Sequence, residues 1–176
     1  SERTANDPVL TLKKAVETSS KASEGEQHMI QAADAGAKSD PAGQLDHLTK
    51  LVAMFPDDAR ALNLLAGYHF GTQDYEKASA LYERAIAANP ALSTSFNQLG
   101  YAQRLLMRYP ESERAFKKYI ELIPDDPNPY DSYAELLMKM GRFDESIAQY
   151  EKAHWQTPDL AAVDEQHAGF DATFGA

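Results

Sequence analysis

Proline stands at positions 56, 90, 124 and 158, one every 34 residues, and around the last three the same side-chain classes recur in the same phase. A period of that size marks one supersecondary unit, which cannot bury its own apolar face and must stack on its neighbours. Segments 59–92, 93–126 and 127–160 align without a gap.

A large apolar residue recurs as Leu62, Phe96 and Tyr130, followed by Leu65, Leu99 and Tyr133 and then by a small residue, Ala66, Gly100 or Ala134. The second half of each unit repeats an aromatic (Tyr75, Tyr109, Phe143), a small residue (Ala78, Ser112, Ser146) and another aromatic (Tyr82, Phe116, Tyr150). Apolar positions three or four apart define one face of a helix. Each unit is therefore read as two helices, A and B, with the in-phase trio Gln73, Met107 and Gly141 at the turn between them. The small residues let A and B approach, and the aromatics fill the wedges between hairpins. The proline ends each B helix, since it lacks an amide hydrogen and its ring clashes with the preceding turn. The next helix is expected to start at a capping group, Asp58 in one unit and Asn128, before Pro129, in another. The carboxylate pairs Asp57–Asp58 and Asp125–Asp126 then sit near the positive ends of helix dipoles, which accounts for them without catalysis.

These residues resemble the tetratricopeptide repeat (TPR) family. The middle unit, with Phe96, Leu99, Gly100, Tyr109, Phe116 and Pro124, is similar to that family's pattern, departing from it at Gln103, Ser112 and Tyr119. The resemblance implies an all-α fold, an α-solenoid of stacked antiparallel helix hairpins wound as a right-handed superhelix. A fourth unit, 25–58, keeps only its second half: Leu48, Leu51, Phe55 and Pro56. The stretches 23–30 and 124–134 also resemble multi-repeat bacterial TPR proteins, many of them exported. A periplasmic or otherwise exported location is the expectation from that likeness, with the cytoplasm as the alternative.

The expected organisation is a tail and orphan helix at 1–24, the degenerate repeat 25–58, repeats 59–92, 93–126 and 127–160, and a short helix or tail at 161–176. Val9, Leu10, Leu12, Ala15 and Val16 give the orphan helix its apolar stripe. Ser23 and Glu26 have the spacing of a capping box. The run 36–43, with two glycines and Pro41, reads as a loop between the helices of the degenerate repeat. After Pro158, Asp159 can cap a helix reaching about His167. Phe170 and Phe174 could then fold back to cover Trp155, or Trp155 could meet a partner.

A hydrophobic content of 43% places the chain among globular proteins, and no stretch approaches the roughly 20 apolar residues of a membrane span. The net charge of −10 argues against nucleic acid and for basic or neutral protein partners. With no cysteine, disulfides, zinc–thiolate sites and cysteine-ligated iron–sulfur clusters are excluded. His28, His47, His69, His154 and His167 show no recognised ligand spacing, and neither a phosphate loop nor a nucleophile elbow is present. No metal, no cofactor and no enzymatic activity are expected.

By resemblance to the family, helix A lines the binding face through the second, fifth, ninth, twelfth and thirteenth places of each repeat. Those are Arg60, Asn63, Gly67, Phe70 and Gly71; then Thr94, Asn97, Tyr101, Arg104 and Leu105; then Asn128, Asp131, Glu135, Met138 and Lys139. The ladder Asn63, Asn97 and Asp131 has two readings. It could hold the backbone of an extended or helical peptide, or Asp131 caps its own helix and the two Asn bond a neighbouring hairpin. Tyr101, Arg104 and Met138 are of the types enriched in interface cores, although Met138 also suits core packing. Removing Tyr101 or Arg104 is expected to cost binding rather than fold. The fifth and ninth places depart from the Lys, Asn and Arg clamp with which some relatives hold a C-terminal carboxylate. The expectation is a protein or peptide partner on the concave face, with membership of a larger complex. A structural or self-assembling subunit docking through its ends and convex face is the alternative.

Overall fold

The computed structural model describes residues 8–155. All regular structure in that span is helical: α1 (Pro8–Thr18), a 3₁₀ turn (Ser19–Lys21), α2 (Glu24–Ala37), α3 (Pro41–Met54), α4 (Ala59–Gly71), α5 (Tyr75–Ala88), α6 (Ser93–Leu105), α7 (Tyr109–Leu122), α8 (Pro127–Lys139) and α9 (Phe143–Trp155). The expectations for 156–176 and for the Trp155 side chain lie outside the described residues.

Successive helices pair as hairpins α2–α3, α4–α5, α6–α7 and α8–α9, each closed in the same way. Ser39, Gln73, Met107 and Gly141, 34 residues apart, all have positive φ, between 56° and 75°. The amide one residue further on reaches back to the ending helix in each hairpin, Asp40 to the Ala35 carbonyl, Asp74 to His69, Arg108 to Gln103 and Arg142 to Leu137, at 2.8–2.9 Å. This is the Schellman closure. In α3 and α5 the same residue then caps the following helix: Asp40 accepts from the Gly43 amide and Asp74 from that of Lys77.

This closure corrects the reading of 36–43 as a loop. Only Lys38–Asp40 leave the helices, because Ser39 takes the left-handed conformation, Asp40 caps, and Pro41 sits at the first helical position, where no amide is missed. The repeat that kept half its sequence pattern forms both of its helices.

Capping chemistry marks the starts of α2, α4 and α8, whereas α6 and α7 begin at Leu92 and Arg108 with no side-chain cap. Ser23 and Glu26 form the reciprocal box on α2. Asp58 accepts from the amides of Arg60 and Ala61. For α8 the cap is Asp126, not Asn128: its Oδ1 accepts the Asn128 amide at 2.8 Å, and Pro127 opens the helix. The residues before Pro56, Pro90 and Pro124, namely Phe55, Asn89 and Ile123, stand at φ near −131° to −143°, outside the helical region as a following proline requires.

The chain divides into two compact units, meeting in sequence at Asn89 and Pro90. In the first, Ala32, Leu48 and Leu65 form a buried cluster with Leu45, Val52, Tyr68 and Leu81 packed on it. In the second, Phe116, Tyr133, Leu136 and Leu137 are the core, flanked by Tyr101, Tyr109, Ile120 and Met140. The α6–α7 crossing is close: Ser112 Oγ donates to the Gly100 carbonyl at 2.7 Å, and a Cβ on Gly100 would stand 2.6 Å from the Phe116 ring. Ser146 Oγ donates to the Ala134 carbonyl in the next hairpin at 2.8 Å.

Glu113 on α7 ties the α6–α7 and α8–α9 hairpins together. It accepts from the Tyr133 hydroxyl at 2.6 Å, from Arg142 at 3.0 Å and from Lys117 at 2.8 Å. Burial pushes its carboxyl up, but the bonds from Lys117, Tyr133 and Arg142 together outweigh that and hold it at about 2, against 4.5 ordinarily.

The depressed value means that Glu113 stabilises the fold fully above about pH 4.5 and loses that contribution as pH falls toward 2. Glu113→Gln should therefore lower the melting temperature at pH 7, and the gap to wild type should close on acidification. A pH-independent gap in scanning calorimetry would refute the assignment. Met107 is 75% exposed yet left-handed, so Met107→Gly removes strain at little packing cost. It should raise stability by about 0.5–1 kcal/mol in urea unfolding, whereas a loss would show that the strain is absent.

Candidate functional site

Helix A of each hairpin carries the expected binding residues. On α4 in the first unit, Arg60 is open to solvent, with its guanidinium 3.8 Å from Asp58. Phe70 turns an edge-to-face contact onto Tyr75 at 5.4 Å. Asn63 is half-buried and bonded within the protein.

The second unit holds Asn97, Tyr101 and Arg104 on α6, and Asp131, Glu135 and Met138 on α8. The two helices are joined by a polar network with one register. The Tyr101 hydroxyl donates to Ser132 Oγ at 3.1 Å, Ser132 Oγ donates to Asn128 Oδ1 at 3.3 Å, and Arg104 Nη1 pairs with Glu135 Oε2 at 2.8 Å. Tyr101 and Arg104, one turn apart, each reach a residue 31 further along. The Arg104 guanidinium also lies over the Tyr101 ring at 4.8 Å, and that ring meets Phe116 edge-on at 5.1 Å. Burial raises the Tyr101 hydroxyl's pKa, against the hydrogen bond to Ser132.

Tyr101 and Arg104 are thus members of the α6–α8 contact, so their loss is expected to cost stability as well, contrary to the expectation from sequence. The family resemblance placed them on helix A but carried no sign of Ser132 or Glu135 as their partners.

Around this network, hydrogen-bonding capacity is left over. Asn97 Oδ1 is buried with no hydrogen-bond partner among the described residues. Asp131 is exposed, and no bond or ion pair to it occurs among the described residues; partial desolvation of its carboxyl by neighbouring atoms, and then the nearby Glu135 charge, raise its pKa. Asp131 does not cap α8, since Asp126 does. Leu105 and Met138 stand 44% and 46% exposed at the ends of their helices, so Met138 is a surface residue rather than core. Beside Asp131, a cavity of about 400 Å³ is lined by Pro127, Asn128, Tyr150, Ala153 and His154.

Two features gave no signal within a single repeat. The Glu113 network depends on Arg142, which lies 29 residues away. A pocket of about 260 Å³ between α2, α3 and α4 has Met29, Leu51 and Phe55 beside Glu26 and Arg60. Among the described residues no three of His, Cys, Asp and Glu converge as a metal-holding group, and no helix is long and apolar enough to cross a membrane.

A family model described as Tetratricopeptide repeat matches residues 31–93 and 68–127, and a second of that description matches 128–153. A crystal structure of MamA is similar at TM-score 0.71, with 20% identity over 86% of this chain and 87% of that one. MamA from AMB-1 gives 0.74, at 20% identity over 86% and 92%. TTC0263, a thermophilic TPR protein in Thermus thermophilus, gives 0.69, at 24% identity over 90% and 86%. At these identities the likeness is one of fold. No curated protein sequence matches the chain.

Since Tyr101 and Arg104 join α6 to α8, Tyr101→Ala should lower stability by about 2 kcal/mol. A double-mutant cycle on Arg104 and Glu135, read by chemical denaturation, should give a coupling of about 0.5–1.5 kcal/mol. A coupling of zero would leave the pair without structural weight.

Proposed function

The chain belongs to the tetratricopeptide repeat family, and on that footing we propose that it is a non-enzymatic protein–protein interaction scaffold. Its A-helix surface takes a peptide or a subunit surface, as an accessory part of a larger complex. In the second unit the α6–α8 network supplies a stiff platform. The observation that carries the reading is what this platform leaves open among the described residues: the exposed Asp131 carboxylate, with Leu105 and Met138 exposed on the same helices. An exposed carboxylate can accept from a backbone amide or a side-chain donor of a bound partner, a charge-assisted bond. The net charge of −10 favours a partner that is basic or rich in donors. Arg60, Asn63 and Phe70 are the corresponding contacts proposed for the first unit.

A second reading, docking through the end of the last hairpin, draws on Phe143 and Ile147, which are 63% and 57% exposed. They are in phase with Tyr109 and Glu113, which the following hairpin engages in the preceding repeat. Either a further element or a partner would suit this face.

Affinity capture with mass spectrometry from source cells separates the two. Asp131→Lys with Met138→Lys leaves the network intact and should change stability by no more than about 0.5 kcal/mol, yet lose the partner. A partner retained by that variant but lost with Phe143→Asp and Ile147→Asp would transfer function to the end face.

A further inference from the structure

Position 28 is in phase with Leu62, Phe96 and Tyr130, and position 47 with Leu81, Ala115 and Gln149. In the α4–α5 hairpin these places belong to the packed interior: Leu62 is 1% exposed, and Leu81 packs on the cluster of Ala32, Leu48 and Leu65. The α2–α3 hairpin has histidine at both.

The two rings face each other. Nδ1 of His28 lies 3.1 Å from Nδ1 of His47, the ring centroids are 5.3 Å apart and the planes are tilted by 38°. Both rings are half-buried. A neutral pair satisfies the contact when one nitrogen donates and the other accepts, but it gives up the apolar packing that the next repeat has at the same places.

The geometry also suits a metal. Two nitrogens 3.1 Å apart, each at the roughly 2.0–2.1 Å of a zinc–imidazole bond, subtend about 100° at a common ion, between the square and tetrahedral angles. We propose that His28 and His47 form a two-imidazole site for a borderline divalent transition ion of the Zn²⁺ class.

Two histidines on facing helices supply two adjacent coordination positions, and water fills the others. The ring that donates its Nδ1 proton in the apo pair carries that proton on Nε2 when it ligates, a tautomer exchange through solvent. Turning the half-buried rings about Cβ–Cγ converges the two lone pairs. Asp46, next to His47, lies within electrostatic reach of both rings, and its carboxylate, held by Lys50 at 2.7 Å, offsets part of the ion's charge. Mg²⁺ and Ca²⁺ demand oxygen ligands and are poor candidates. Among borderline ions Cu²⁺ would bind more tightly than Zn²⁺. A bound ion links α2 to α3 across their short turn and so stabilises the folded hairpin.

The test uses the full chain, purified without a histidine tag, with Zn²⁺ alone as probe and Mg²⁺ as control. Calorimetric titration should give one saturable ion. The apparent Tm should rise by about 5–10 °C at free zinc a hundredfold above Kd, with no response to Mg²⁺. The control is His28→Leu with His47→Leu, which installs the pair that the next hairpin carries as Leu62 and Leu81 and keeps His69 and His154. It should fold and lose both the isotherm and the shift in Tm. Histidine-ring nitrogen spectra of the wild type decide the case if the control fails to fold: zinc should move the Nδ1 signals of His28 and His47 together. An equal zinc response in the leucine variant, or unmoved Nδ1 signals in the wild type, overturns the proposal.

Discussion

A single backbone event, repeated every 34 residues, sets the position of everything else: one residue in the left-handed region that stops helix A, satisfies its last carbonyls and hands the chain to helix B. Hairpin geometry follows from it, because the turn leaves no slack through which the helices could slide. Three of the four residues there are Ser, Gln and Met rather than glycine. Each costs about 1–2 kcal/mol relative to a relaxed conformation, and the paired apolar faces more than offset it. The closure is imposed by tertiary packing and tolerated by local sequence.

That ordering explains what the sequence made legible. The 34-residue recurrence of small and aromatic residues located helix–helix packing, and the structure places Gly100 and Ser112 in one close crossing. Periodicity works there because packing is a property of the side-chain class, which the sequence states directly. The short turn of the degenerate repeat was obscured by Gly36, Pro41 and Gly43, whose composition favours a loop. Pro41 in fact starts a helix, since the first helical position needs no amide hydrogen. The α8 cap was misplaced by two residues for a related reason: of several polar candidates before Tyr130, only geometry shows that Asp126 reaches an orphan amide.

For the helix A residues, position was legible but structural roles were not. The family resemblance put Tyr101, Arg104 and Asp131 on helix A, at the ninth, twelfth and fifth places of their repeats, yet the partners of the first two lie on another helix at an offset of 31 rather than 34. Two of the three are held in the α6–α8 network, and Asp131 stands exposed outside it. A repeat alignment compares each residue with its counterpart one period away, so contacts made at a different offset leave no mark in it.

The same reasoning separates stiffness from recognition. A groove built from mobile polar side chains would lose about 0.5–1.5 kcal/mol for each one immobilised on binding. Here Tyr101 is held between Ser132 and Phe116, and Arg104 between Tyr101 and Glu135, before any partner arrives. The ordering cost is met during folding, by interactions that also stack one hairpin on the next. On the function proposed above, recognition would fall to exposed groups such as Asp131, Leu105 and Met138, which can vary without disturbing the stack. A repeat fold that commits its networked side chains to structure and leaves others exposed can change its surface while keeping its register.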